Sequence, residues 1–403
     1  MTSNDAMAVF SGNFTQQESI PEEAIEQAIA VMRSGRLHRY NVASADELSE
    51  TAQLEIEFAA YQNQRYALAV ASGGYAIQTA LRALELRAGE PVLTNAFTLS
   101  PVPGAIHACA GKSILIETTA DLVIDLDHLA YNAEKSQAKV LVLSHMRGHI
   151  ADMDAIKTIT ERFDIKLVED CAHTMGATFN GEKSGSHGDL ACFSTQTYKH
   201  LNSGEGGFIT SDNDELMAKC IVLSGSYMLY ERHLAAPPPD VFERIKLQTP
   251  NCSGRMDNLR AAILRPQLMQ LDKNCERWNE RYALIMQTLA TCNAIALPTT
   301  HPKAAEVSSS FQFSVPVLTD EQNNSLLATC LARGVEIKWF GAAEPVAYTS
   351  RYDSWSYVES ENLEQTNRVL SRLYDCRIPL TFSTDDCMQI ARIISEEVQN
   401  LLR

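Results

Sequence analysis

Ile165-Lys166-Leu167-Val168-Glu169-Asp170-Cys171-Ala172-His173 is an apolar run that ends in charge. Leu190-Ala191-Cys192-Phe193-Ser194-Thr195-Gln196-Thr197-Tyr198-Lys199-His200 repeats the pattern, and Ser203-Gly204-Glu205-Gly206-Gly207-Phe208-Ile209-Thr210 follows it. Working outward, the same short β-rich runs recur at Tyr66–Val70, Pro91–Thr94, Ser113–Glu117 and Lys139–Ser144. Helical periodicity separates them, as at Ile77, Ala80, Leu81 and Leu84, spaced i, i+3, i+4 and i+7. Continuous apolar strands alternating with helices predict an α/β fold with a mostly parallel sheet, buried on both faces. Such sheets bind ligands beyond the carboxyl ends of their strands.

Outside this region the pattern predicts an entry segment, residues 1–30, with a helix from Pro21 to Met32. Ser224–Gly254, with Pro237-Pro238-Pro239, reads as a long loop of functional or interface character. Arg255–Leu289 reads as one long helix broken near Pro266. Phe311–Val317 and Val335–Phe340 read as strands, and Glu321–Arg333 and Gln389–Leu402 as helices. The expected division is a large domain over residues 1–260 and a smaller C-terminal α+β domain over 261–403.

Composition narrows the function. The 403 residues hold 34 Lys and Arg against 50 Asp and Glu, a formal charge of −16. That balance disfavours nucleic acid and anionic membrane as partners. It does not exclude a small anion held by local backbone amides. No apolar run is long enough to span a bilayer and no signal peptide is evident, so the expected location is the cytoplasm. The ten cysteines have neither Cys-x-x-Cys nor zinc spacing, which predicts free thiols and no metal site.

Four features fall at strand ends. Ser72-Gly73-Gly74, between a strand and a helix, offers bare N–H groups to an anion. Asp170 ends the Ile165–Asp170 run; a carboxylate there serves as a metal ligand, a base, a partner for a cationic ring nitrogen or a helix cap. Lys199 lies in a polar loop after Ser194, and the glycines of 203–207 imply a sharp turn or a close approach. Together these suit pyridoxal phosphate: a Lys for its aldehyde, an Asp for its pyridine nitrogen, and Ser and Gly groups for its phosphate.

The segment from Ala151 to Asp212 closely resembles the DegT/DnrJ/StrS family of pyridoxal-phosphate-dependent sugar aminotransferases, which have fold type I and a seven-stranded-type sheet. It contains Val-Glu-Asp-Cys-Ala-His, Ser-Gly-Ser-His-Gly-Asp-Leu, Lys199 and Gly-Glu-Gly-Gly-Phe-Ile-Thr. The likeness runs from Glu57 through Leu271 and more weakly beyond. It implies that Lys199 is the Schiff-base lysine, Asp170 the pyridine-nitrogen partner and His173 the neighbour of the ring's phenolic oxygen. Ser194 and Ser72-Gly73-Gly74 match the phosphate-binding positions, and His145 matches a strand-end histidine near the cofactor. Gly74 stands where the family usually has Thr, Leu99 where a stacking aromatic is common, and Ser253 where an Asn reaches the partner subunit's phosphate. Arg255-Met256-Asp257 with Ala261-Ala262 and Gln267-Leu268 matches a helix at the dimer interface, so a homodimer with shared sites is implied.

By the same resemblance, the expected reaction moves an amino group from an amino acid, L-glutamate by expectation, to a keto-sugar that is nucleotide-linked or carboxylated. A sugar dehydratase or lyase, or a regulator without catalysis, is the alternative; the dehydratase branch replaces the lysine with His, and this chain keeps Lys199. For the acceptor, the basic and aromatic stretch Arg36–Tyr40 with Arg39, together with Arg147, Tyr227, Tyr230, Lys338-Trp339-Phe340 and Tyr348–Trp355, are the candidates, set against packing or interface roles.

Overall fold

The computed structural model describes residues 8–44, 46–359 and 361–403. Its central sheet holds β1 (Tyr66–Val70), β2 (Pro91–Asn95), β3 (Lys112–Ile116), β4 (Val140–Ser144), β5 (Lys166–Asp170), β6 (Leu190–Ser194) and β7 (Gly207–Ser211). Their order is β1-β7-β6-β5-β4-β2-β3. Only β7 runs antiparallel, pairing with β1 on one side and β6 on the other. The mostly parallel, seven-stranded fold-type-I sheet is as expected.

Alternation along each strand divides its side chains between two cores. Ala67, Ala69, Leu141, Leu143, Leu167 and Phe193 belong to one core, and Leu68, Val70, Val140, Val142, Val168 and Cys192 to the other. The second core is closed by α3 (Gly73–Ala83), introduced in chain order after α1 (Glu22–Ser34) and α2 (Glu50–Gln62). Ser72 caps α3 by accepting from the Tyr75 N–H at 3.1 Å, and Ala76, Ile77, Ala80 and Leu81 bury its inner face.

The C-terminal part forms a second sheet, β8 (Ser310–Ser314), β9 (Lys338–Trp339) and β10 (Leu373–Arg377), in the order β8-β10-β9 and antiparallel throughout. Phe311, Phe313, Tyr374 and Cys376 point into the first core. Asp375 and Arg377, two apart, therefore share the other face of β10.

Three element expectations are corrected. The proline-rich stretch within 224–254 contains a helix, Pro239–Ile245, because Pro238 and Pro239 suit a helix start. The break in the long helical segment falls at Gln270, between Asn258–Met269 and Leu271–Leu289, and Pro266 is carried inside the first of these. The strand near Val335 shrinks to Lys338–Trp339. Gly334 has φ of 78° and the Val335 N–H bonds back to the Cys330 carbonyl at 2.9 Å, so that residue still belongs to the helix-terminating turn. Among the described residues no helix is long and apolar enough to cross a membrane, and all ten cysteines are free.

Candidate active site

A cavity of about 540 Å³ opens at the carboxyl ends of β4, β5 and β6. Ser144 and Asp170 end paired strands in direct register, so both reach the α3 side of the sheet. Ser144 Oγ donates to Asp170 Oδ2 at 2.8 Å, and the Ala172 N–H donates to Oδ1 at 3.2 Å. Both Ser144 and Asp170 line the cavity.

The floor loop, residues 195–206, joins β6 to β7. The Thr195 N–H donates to the Gly206 carbonyl at 2.9 Å, the Ser203 N–H to the Thr195 carbonyl at 2.9 Å, and the Thr197 N–H to the Gly204 carbonyl at 3.2 Å. Gly204 at φ of 79° and Gly206 at 152° allow this closure, which is what the glycine run is for. The pinched loop presents Lys199 to the cavity.

Lys199 Nζ lies 2.7 Å from His173 Nε2. Burial, then the positive charge of Arg147, brings the Lys199 amine down to about 7. Burial and the neighbouring cations push His173 well below its ordinary value. The neutral ring accepts the Arg147 N–H at Nδ1 over 3.4 Å, which assigns its proton to Nε2 and leaves the Lys199 lone pair as acceptor.

Opposite, the start of α3 forms a cradle. A Cβ at Gly73 would meet Ser194 Cβ at 2.8 Å, and one at Gly207 would meet the Gly73 nitrogen at 2.8 Å. The glycines thus keep the helix N-terminus and the Ser194 hydroxyl together, a site suited to an anion. Ser72, Gly73, Gly74, Leu99 and Ser194 all line the cavity, as do Asp170, His173, Lys199 and Arg147.

Other expected residues lie elsewhere. His145 follows Ser144, so alternation turns it to the opposite face, where Nε2 meets Glu169 Oε2 at 3.1 Å. Glu169 also accepts the N–H groups of Gly185, His187 and Gly188; burial raises its carboxyl, but the His145 and His187 side chains outweigh it and hold the group well below the usual range. Ser253 is exposed and accepts from Arg255 Nη2 at 2.9 Å, outside this chain's cavity. Tyr227 is 60% exposed beneath the Arg255 guanidinium, and Lys338 sits 5.9 Å from the Tyr348 ring without lining the cavity.

Arg39 is corrected outright: it is not available to a substrate. It is 2% exposed and makes a bidentate pair with Glu55 at 2.9 and 2.8 Å, and His233 Nδ1 lies 2.9 Å from its Nη2. Glu55 also accepts the Ala69 N–H at 2.8 Å, so the cluster clamps α2 to β1.

Sequence reasoning missed Arg377, which lines the cavity. Its guanidinium lies 3.8 Å from the Tyr198 ring centre and 4.6 Å from that of Tyr348. No local motif marks it; only its position two residues after Asp375 in an alternating strand was available as a signal.

Residues 18–395 match the sequence model of the DegT/DnrJ/EryC1/StrS aminotransferase family. A pleiotropic regulatory protein of Geobacillus stearothermophilus is 29% identical over 277 residues, 66% of this chain and 65% of its own length, so the chain spans a little under two thirds of that relative. A dTDP-3-amino-3,6-dideoxy-alpha-D-galactopyranose transaminase of Aneurinibacillus thermoaerophilus is 31% identical over 262 residues, 64% of this chain and 68% of its own. The crystal structure of 3-amino-5-hydroxybenzoic acid synthase has a TM-score of 0.79 at 22% identity, covering 96% of this chain and 99% of that one, and shares the fold.

Proposed function

Because the chain belongs to the DegT/DnrJ/EryC1/StrS aminotransferase family, we propose that it transfers an amino group from L-glutamate to a keto-sugar, nucleotide-linked or carboxylated, using pyridoxal phosphate. The observation that carries this reading is the meeting in one cavity of Lys199, lowered to about 7, with Asp170 and the Gly73–Ser194 cradle.

The residues present fit that cofactor. Asp170 would hold the pyridine nitrogen in its protonated form. The amides of Gly73 and Gly74 with the hydroxyls of Ser72 and Ser194 would hold the phosphate, and Leu99 would cover the ring without π stacking. When bound, the cofactor supplies an aldehyde for covalent attachment and a ring that accepts electrons.

Lys199 does the proton work. A lysine at about 7 is half neutral at neutral pH, so Nζ is both a nucleophile and a base. Nζ would take the proton of the donor's α-carbon and pass it to the cofactor's former aldehyde carbon, and in the second half-reaction would move one back from there to the acceptor's former carbonyl carbon. His173 positions Nζ through the 2.7 Å contact and stays neutral, so it does not compete for that proton.

Two copies of the chain would complete two sites. Tyr227, Met228 and Leu229 are exposed, and Ser253 is exposed and does not line this chain's cavity, as residues of a shared interface would. The division at residue 260 is also our reading, with Asp170 and Lys199 in the larger part and Arg377 in the smaller, all three lining the same cavity. Borohydride reduction of the cofactor-loaded protein, followed by peptide mass analysis, tests the assignment. A single adduct on Lys199 is expected, and an adduct elsewhere or none would reject it.

A further inference from the structure

Two guanidiniums reach the wall of the cavity nearest Lys199. Arg147 is 8% exposed, and its Nε lies 3.0 Å from Asp375 Oδ1. Among the described residues neither Nε nor Nη2, both buried, has a hydrogen-bond partner, so the Asp375 contact is an ion pair. Asp375 is itself fixed, because Gln312 Nε2 donates to Oδ1 at 2.7 Å and His149 Nε2 lies 2.8 Å from Gln312 Oε1. Arg377, two residues on in the same strand, forms no ion pair among the described residues and stacks between Tyr198 and Tyr348. The Tyr348 ring also lies 4.4 Å below the Arg147 guanidinium.

The two guanidiniums have one paired carboxylate between them among the described residues. Asp375 neutralises one guanidinium and leaves the other. The carboxylates that line the cavity are Asp170, bound to Ser144 and Ala172, and Glu205, exposed at the rim; neither pairs with an arginine. A guanidinium stacked on its face keeps its edge N–H groups free for a planar anion. Arg377 is thus the guanidinium left without an acid partner among the described residues, which suits one carboxylate. Its place in the chain of contacts is also set: the Arg147 backbone N–H touches His173, and His173 touches Lys199 Nζ.

We propose that Arg377, with Arg147 aligned by Asp375, recognises a substrate carboxylate close to the carbon undergoing amino transfer. The ligand class is a 2-amino or 2-oxo acid, or an acidic sugar presenting the same group. This rests on the aminotransferase reading above for the identity of the reacting carbon.

The test is calorimetric titration of the cofactor-loaded protein with 2-oxoglutarate, D-glucuronate and neutral D-glucose, in wild type, Arg377→Gln and Arg377→Lys. Loss of a charge-assisted bidentate contact is expected to weaken acid binding by about 10- to 100-fold in Arg377→Gln. Arg377→Lys should recover part of it, and the visible spectrum of the cofactor should not change. Dependence confined to 2-oxoglutarate assigns the carboxylate to the donor, and dependence confined to glucuronate assigns it to the acceptor. Unchanged affinity for both acids in Arg377→Gln would overturn the proposal. The titration reads binding heat, whereas the proposed function is read by amino transfer, so either can fail alone.

Discussion

Lys199 Nζ sits 2.7 Å from His173 Nε2, and burial lowers the proton affinity of both. A lysine in water titrates near 10.5 and would be almost wholly protonated at neutral pH. Here the amine is available near 7. The rate of cofactor uptake by the cofactor-free protein should therefore rise with pH through about 7 and level above it. Stopped-flow absorbance across pH 5.5–9.5 checks this, and a rate still climbing steeply above pH 9 would contradict it.

Replacing His173 with Asn should leave cofactor bound but slow the first half-reaction by about 10- to 100-fold, because Lys199 loses the group that holds it in place. Single-turnover absorbance separates this from cofactor loss. Retention of the full rate would remove His173 from the account.

The Gly73 cradle has no spare volume. Gly73→Ala puts a methyl 2.8 Å from Ser194 Cβ, so it should cost about 1–3 kcal/mol in stability and weaken cofactor binding together. Urea unfolding and fluorescence titration with pyridoxal phosphate read the two effects.

The Arg39–Glu55 pair is structural. Arg39→Met strands a buried carboxylate and should destabilise the protein by about 3–5 kcal/mol. Glutamate turnover per folded molecule should stay at the wild-type level. A raised acceptor KM with unchanged stability would restore the substrate role expected from the sequence.

His200 is buried without a partner on either ring nitrogen among the described residues, packs edge-on to Trp278, and burial brings it down to about 3. The folded form stays neutral while the unfolded chain takes up a proton below about 6.5. Stability is therefore unaffected above that pH and is lost below it, at about 1.4 kcal/mol per pH unit for this group until about pH 3. Thermal unfolding of wild type and His200→Leu between pH 8 and 5 should show the wild type falling more steeply.

Much of this was legible in the chain itself. Asp170, Ser194 and Lys199 stand where an apolar strand runs out into polar residues, and a parallel sheet delivers strand ends to one edge. Side-chain facing was less legible. His145 is one residue beyond Ser144, and that single step turns it away from the cavity to Glu169. Arg39 read as part of a basic and aromatic stretch because its partner Glu55 lies sixteen residues on, inside α2. Arg377 comes to the site through a strand of the second sheet, a tertiary placement that no local spacing encodes.

The central claim is tested most directly by the absorption spectrum of the cofactor-loaded protein before and after L-glutamate, beside Lys199→Ala. The account predicts loss of the visible band with release of one 2-oxoglutarate per site in wild type, and neither change in the variant. A visible band that glutamate leaves untouched, or a conversion that persists without Lys199, would contradict it.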